Sequence, residues 1–264
     1  MEPNLLTMLS PANIVIFVII FTRISGMIFS MPLISTYPIP EQVKIWLCAL
    51  VAFILFPMVA ASPAAAHLVV PHSIPELGIY LFREFAIGYI IGFIATLIFT
   101  AVQIGGEFVS IQIGISMSQV LDPTTGESTQ VVSQMYSYIM AMVFIGLNAH
   151  QWLFASIYKS FQSFPPGIDF VFNSAVVSQV LHLSGQMFSI GISMILPIFC
   201  VMFVSEVLMG FMSKMMPQMN IFMVAIPLKI YVGMILLLMF LSPTVSYLIT
   251  VTETYLKGIM EIFI

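Results

Sequence analysis

Apolar residues run in long blocks through most of this chain, and polar positions are gathered at the block edges. Five stretches carry no Asp, Glu, Lys or Arg: residues 45–75, 85–104, 128–158, 170–205 and 230–252. A helix of about 20 apolar residues crosses the hydrocarbon core of a bilayer, and each stretch is about that long or longer. Six apolar segments can be drawn, approximately 14–31, 45–61, 85–104, 136–157, 187–209 and 221–241, with a further apolar stretch towards Ile264. The breaks between them carry turn chemistry: Pro32, Pro38 and Pro40; Pro63, Pro71 and Pro75; Asp122-Pro123 with Gly126; Pro165-Pro166-Gly167; and Pro217. Proline has no N–H to give a helix, so these positions mark helix ends. Pro57, Pro197 and Pro227 lie inside apolar segments instead and predict bent or broken helices. Gly88 and Gly92 form a GxxxG spacing that permits close helix approach. The pattern predicts an all-α membrane protein built of kinked helical hairpins.

One connection departs from this pattern. Residues 105–129 read GGEFVSIQIGISMSQVLDPTTGEST, in which Val109, Ile111, Ile113, Ile115 and Met117 alternate with Ser110, Gln112, Gly114 and Ser116. Alternation is the period of an extended chain. A helical phase through Ile104, Phe108, Ile111 and Ile115 fits as well. Under either reading the segment is apolar enough to demand burial, and non-helical backbone at membrane depth is tolerated only where protein encloses it or it lines an aqueous cavity. An extended, glycine-containing, half-apolar loop suits a plug or constriction; an ordinary surface turn is the alternative.

Composition narrows the function classes. Hydrophobic residues make up 60% of the 264 positions and charged residues 7%, against roughly a quarter charged in soluble domains. With a net charge of −4 and its basic residues scattered singly, the chain has no cationic patch for a phosphate backbone, which argues against a nucleic-acid partner. Residues 1–10 carry Glu2 and no Lys or Arg, so they lack the basic region of a signal peptide, and the first apolar segment is expected to persist in the mature protein. Counting basic residues on alternate sides of six simple crossings places Arg83, Lys159 and Lys257 against Lys44, Lys214 and Lys229. That tie leaves the orientation undecided: either simple alternating spans are the wrong model, or partners place the chain instead of its own charges.

Candidate chemistry is sparse. Cys48 and Cys200 both sit in apolar runs without a CxxC or Cys/His spacing and read as small buried hydrophobes. A phosphate-binding GxxxxGK[ST] loop is absent from the sequence. Ser193 with His150 or His182 could be imagined as a nucleophile and base, and His67 and His72 as metal ligands, but each reads better as a structural residue. No catalytic, cofactor or metal site is expected, and the chain does not read as an enzyme. Arg23, Glu107, Glu206 and Lys229 lie in or beside apolar segments, where an unpaired charge is costly; they read as structural ion pairs or as a proton or ion pathway. Met209, Met212, Met215, Met216, Met219 and Met223 cluster within a chain of 21 methionines. Such side chains fill irregular cores or form adaptable contact and pore surfaces. Broken helices with intramembrane charges also fit a secondary transporter of a small solute or ion.

Four stretches, RISGMIFSMPLISTYPIPEQVKI (23–45), GGEFVSIQIGISMSQVLDP (105–123), LNAHQW (147–152) and MMPQMNIFMVAIPLKI (215–230), together resemble the FliR family of flagellar export-gate proteins. The injectisome SctT-type export proteins are relatives of that family, and the resemblance covers nearly the whole chain. It implies a core subunit of the type III export gate in the bacterial inner membrane, at the flagellar basal body. Assembly with FliP-like and FliQ-like subunits, neighbouring FlhB-like and FlhA-like proteins and passage of exported, unfolded flagellar proteins are implied too. It also implies a FliP-like part over residues 1–185 and a FliQ-like helical hairpin over 186–264. A channel plug is implied at about 105–123, involving Gly105, Gly106, Phe108, Ile111, Ile113, Gly114, Ile115, Met117, Val120, Asp122 and Pro123.

Overall fold

The computed structural model describes residues 11–35, 38–60, 73–115, 131–164, 174–216, 218 and 221–261, and among them every regular element is a helix. In chain order these are α1 (Pro11–Ser30), α2 (Pro32–Ser35), α3 (Glu41–Ala60), α4 (Ile74–Ile113), α5 (Val131–Gly146), α6 (Ala149–Ser163), α7 (Ser174–Met215) and α8 (Ile221–Glu261). Five of them are long and apolar enough to cross a membrane, or six spans if α5 and α6 are counted as one broken span. This is an all-α membrane protein.

The first two apolar segments correspond to α1 and α3, but three others are embedded in much longer helices. α4 has 40 residues, α7 has 42 and α8 has 41. Charged residues such as Arg83, Glu84 and Lys257 end an apolar run without ending a helix, because long unbranched side chains are good helix formers. The fourth segment is broken instead, at Asn148, which has φ 53° and ψ 31°. Asparagine tolerates this left-handed conformation better than most residues. The Gln151 N–H then donates to the Asn148 carbonyl at 2.9 Å and starts α6.

The proline expectations divide. Pro32 opens α2, Pro40 directly precedes α3 and Pro75 sits in the first turn of α4, positions where a missing N–H costs nothing. Pro57, Pro197 and Pro227 do not break their helices, and α8 also runs through Pro243. Pro63, Pro71, Pro123, Gly126, Pro165, Pro166, Gly167 and Pro217 lie outside the described residues.

Serine and threonine hydroxyls turn back on their own helices. Thr22, Ser30, Ser110, Ser137, Ser156, Ser184 and Thr252 each donate to the carbonyl four residues earlier. This geometry satisfies the hydroxyl locally, so a polar residue can remain in an apolar helix.

The chain divides into two compact units, one comprising Met1–Leu97, Asn148–Ser184 and Tyr255–Ile264, the other Ile98–Leu147 and Gly185–Thr254. In the first, α1 packs on α3, with Phe17 and Phe56 edge to face at 6.3 Å. α1 also meets the amino-terminal half of α4 at glycines. A Cβ placed on Gly88 would overlap the Arg23 carbonyl, one on Gly26 the Phe85 carbonyl, and one on Gly92 would come within 2.5 Å of the Met27 carbonyl oxygen. The GxxxG spacing is thus used within the chain, and the crossing is close enough for the Thr96 hydroxyl to donate to the Ser30 carbonyl at 2.5 Å. The carboxyl end of α8 joins the start of α7 through the Tyr255 hydroxyl, which donates to the Leu183 carbonyl at 3.0 Å.

In the second unit, the carboxyl half of α4 packs against α5 and α7. Phe99 meets Phe144 edge to face at 5.4 Å, and a Cβ on Gly191 would lie 2.8 Å from the Ala101 carbonyl. Buried Thr252 of α8 lies beside Met140 of α5.

Candidate functional site

The segment expected to form a plug begins inside α4. Over its described part, 109–115, the alternating pattern does not produce extended chain: α4 continues to Ile113, Gly114 and Ile115 form a turn, and Ser116 and Met117 lie outside the described residues. The buried positions are Gly105, Gly106, Val109, Ser110 and Ile113, a helical stripe, whereas Phe108 and Ile111 are exposed. Val109 and Ile113 satisfy both periods, being two steps apart in an alternation and one turn apart in a helix. The helix prevails because it pairs every backbone group within its own segment, which extended chain among apolar surroundings cannot do. Ser110, a polar position of the alternation, donates to the Gly106 carbonyl at 3.0 Å and so fits the helix interior.

Gly114 ends the helix. With φ 89°, it directs its N–H to the Ile111 carbonyl at 3.1 Å, while the Ile115 N–H reaches the Ser110 carbonyl at 3.2 Å. This pair of bonds is the Schellman closure, in which glycine takes the left-handed position at least cost. Gly105 and Gly106 act differently. A Cβ on Gly105 would lie 2.7 Å from Met194 Cε, and one on Gly106 would lie 2.7 Å from Ser133 Cα. They are therefore contact points for α7 and α5, and the Ser133 hydroxyl confirms the closeness by donating to the Gln103 carbonyl at 3.0 Å. Ile113 fills the space left open by Gly233 of α8, where a Cβ would come within 2.8 Å of its Cγ2. Met117, Val120, Asp122 and Pro123 lie outside the described residues.

The four flagged charges separate into distinct environments. Arg23 is fully buried; its Nε donates to Glu84 Oε2 at 2.7 Å, Nη1 to the Ser160 hydroxyl at 3.0 Å and Nη2 to the Phe164 carbonyl at 3.1 Å. Its guanidinium carbon also lies 3.9 Å from the centre of the Phe161 ring. Three helices of the first unit, α1, α4 and α6, thus converge on one arginine, and charge, hydrogen bonds and the π face are all matched. Glu84 and Ser160 escaped the sequence reading, because nothing in one dimension links Glu84 to a residue 61 positions away.

Glu206 and Lys229 pair with each other across α7 and α8, Nζ to Oε1 at 2.5 Å. Glu107 is exposed. Of the methionine cluster, Met209 is buried while Met212, Met215, Met216 and Met223 are exposed; Met219 lies outside the described residues. The cysteine expectation needs correction at one position: Cys48 is buried, but Cys200 is exposed on α7, because an apolar run on a helix this long covers faces that the other described residues leave open.

Residues 14–255 match the family described as bacterial export proteins, family 1. Among curated proteins, the chain is 32% identical to a flagellar biosynthetic protein FliR of Bacillus subtilis (strain 168) over 234 residues, 86% of each chain. It is 29% identical to the protein of that name from Caulobacter vibrioides over 85% of this chain and 87% of the relative. The corresponding protein of Escherichia coli (strain K12) is 24% identical over 81% of this chain and 80% of the relative.

Proposed function

The chain belongs to the FliR family of bacterial flagellar export proteins, and from that premise we propose that it is a core subunit of the flagellar type III export gate, forming part of the protein-conducting channel. In this reading it sits in the bacterial inner membrane at the flagellar basal body and assembles with FliP-like and FliQ-like subunits. FlhB-like and FlhA-like proteins adjoin the assembly, unfolded flagellar proteins pass through it, and the energy comes from other components. Residues 1–185 form a FliP-like part and 186–264 a FliQ-like hairpin.

The observation that carries this reading is helix length set against bilayer thickness. At about 1.5 Å per residue, helices of 40, 42 and 41 residues are each about 60 Å long, twice the roughly 30 Å of hydrocarbon available. A tilt of up to about 40° lengthens the path through that core by only about a third. Yet exposed apolar residues extend along α7 from Val177 to Met215 and along α8 from Met223 to Ile249. Of the apolar windows in α7 and α8, only 39% and 17% respectively is buried within the chain. Lipid tails cannot cover all of this surface, and water covers it at a large cost per unit area. Partner subunits are the remaining cover, which supports an assembly that extends beyond the bilayer.

The plug is the finer part of the proposal. Residues 105–123 would close the channel, with α4 as the anchored base, Gly105 and Gly106 as its packing points and Gly114 as the turn from which the rest of the segment departs. The test of the assembly is co-expression with the FliP-like and FliQ-like subunits of the same organism, detergent purification and native mass spectrometry. The expected result is a defined complex containing this chain. A chain that purifies alone as a stable particle and moves a small solute would replace the gate by a transporter.

A further inference from the structure

We propose that the Glu206–Lys229 pair is one half of a contact between subunits: a helix of a neighbouring protein lies over it and donates a hydrogen bond to the free carboxylate oxygen of Glu206. This rests on the reading of the chain as one member of a larger assembly.

The pair is isolated in its surroundings. Residues 170–205 and 230–252 contain no other charge. Glu206 lies nine residues before the end of α7 at Met215, and Lys229 eight residues after the start of α8 at Ile221. At 1.5 Å per residue, both stand about 12–14 Å in from the hairpin's helix ends. The pair is not enclosed by its own chain, since the lysine side chain is 23% exposed and the glutamate side chain 40%. Phe203, one helical turn before Glu206, is exposed, and so are Val207 and Leu228, the sequence neighbours of the pair.

Each simple environment fits half of these observations. Lipid tails suit these three apolar side chains but leave a partly exposed carboxylate with only the lysine as a partner among the described residues, a costly arrangement in hydrocarbon. Water suits the ion pair but not the apolar rim, and an ion pair bathed in water contributes little to holding two helices together. A protein neighbour satisfies both, because subunit contacts combine an apolar, water-excluding surround with a few desolvated, fully hydrogen-bonded polar groups. The chemistry of the neighbour follows from what the pair leaves unused. Among the described residues, Lys229 engages only Oε1, and the glutamate is the more exposed partner. A carboxylate accepts several hydrogen bonds and donates none. The neighbouring helix therefore presents a donor: an arginine or lysine, an amide or a hydroxyl.

A test follows from the asymmetry of the pair. Phe203, one turn from Glu206, is replaced by photoreactive benzoylphenylalanine in the full chain, co-expressed with the FliP-like and FliQ-like subunits, and the membranes are irradiated; adducts are identified by mass spectrometry. The expected result is an adduct to one of those subunits. It should fall at least tenfold in the exchanged variant Glu206→Lys with Lys229→Glu, which keeps the internal ion pair but turns the acceptor into a donor. Glu206→Gln, which keeps an acceptor oxygen and cannot fail through charge reversal, should retain most of the adduct, and immunoblotting of membranes should show each variant at wild-type level. Lipid adducts alone, or an exchanged variant that cross-links like the wild type, would overturn the proposal and reduce the pair to an internal staple. Co-purification of the three subunits is scored separately. If they co-purify while the probe at position 203 labels only lipid, this inference fails and the gate stands; if they do not co-purify, both fail.

Discussion

Two of the chain's ion pairs stand in opposite circumstances. Arg23 and Glu84 lie in the first compact unit, almost without exposure, and the arginine makes three hydrogen bonds and a cation–π contact within the chain. Lys229 and Glu206 lie in the second unit, on a hairpin whose second helix is mostly uncovered, and both side chains remain partly exposed. The first pair is complete by itself and organises three helices. The second is satisfied only in part, and what it lacks is what a neighbour can bring. The contrast separates two uses of charge in an apolar protein: one makes the subunit fold, the other prepares it to assemble.

The largest expected effect comes from dismantling the first pair. Arg23→Met leaves Glu84 buried without its cation, a loss that costs about 3–5 kcal/mol. Immunoblotting of membranes should show the chain nearly absent, and adding Glu84→Gln should recover part of it by removing the orphan charge. The next effect tests the glycine crossing that positions Arg23. Gly88→Leu forces a side chain onto the Arg23 carbonyl and should cost about 1–3 kcal/mol or more, read as a lower thermal midpoint of the purified complex. Gly114→Val comes third: a β-branched residue at φ 89° strains the helix end by about 1–2 kcal/mol. Because Gly114 is also the proposed departure point of the plug, this variant should alter small-ion leakage or secretion more than it lowers protein level. Wild-type leakage and wild-type secretion together would count against the plug. The smallest effect on the isolated chain belongs to the second pair. Lys229→Met should change its thermal midpoint by little, since a partly exposed pair contributes about 1 kcal/mol or less. A collapse like that of Arg23→Met would erase the distinction between the two pairs.

Much of this was legible in the sequence, and the failures have physical causes. The charge-free runs located membrane helices, and the four quoted stretches located the family, later matched over residues 14–255. Helix ends were less legible, because hydropathy reports where apolar residues stop while the hydrogen-bond ladder of α4, α7 and α8 continues through Glu, Arg and Lys. The alternation over 109–113 misled because Val109 and Ile113 satisfy two periods at once, and the pairing of backbone groups within the segment selects the helix. Gly105 and Gly106 were expected within a plug loop, yet they lie in α4, where their absent Cβ atoms serve contact with Met194 and Ser133.

By itself the sequence determined the properties that depend on neighbours along the chain: helical backbone, membrane solubility and the scarcity of chemistry-bearing side chains. Hydropathy and backbone hydrogen bonding act over a few residues, so they are written locally. The tertiary structure decided which charges meet, which glycines are contacts and which apolar faces stay uncovered. Those outcomes depend on residues distant in sequence, such as Arg23 with Glu84 and Ser160, 61 and 137 positions away. An ion pair or a helix crossing stabilises only when both sides arrive at the same place, and that coincidence belongs to the fold.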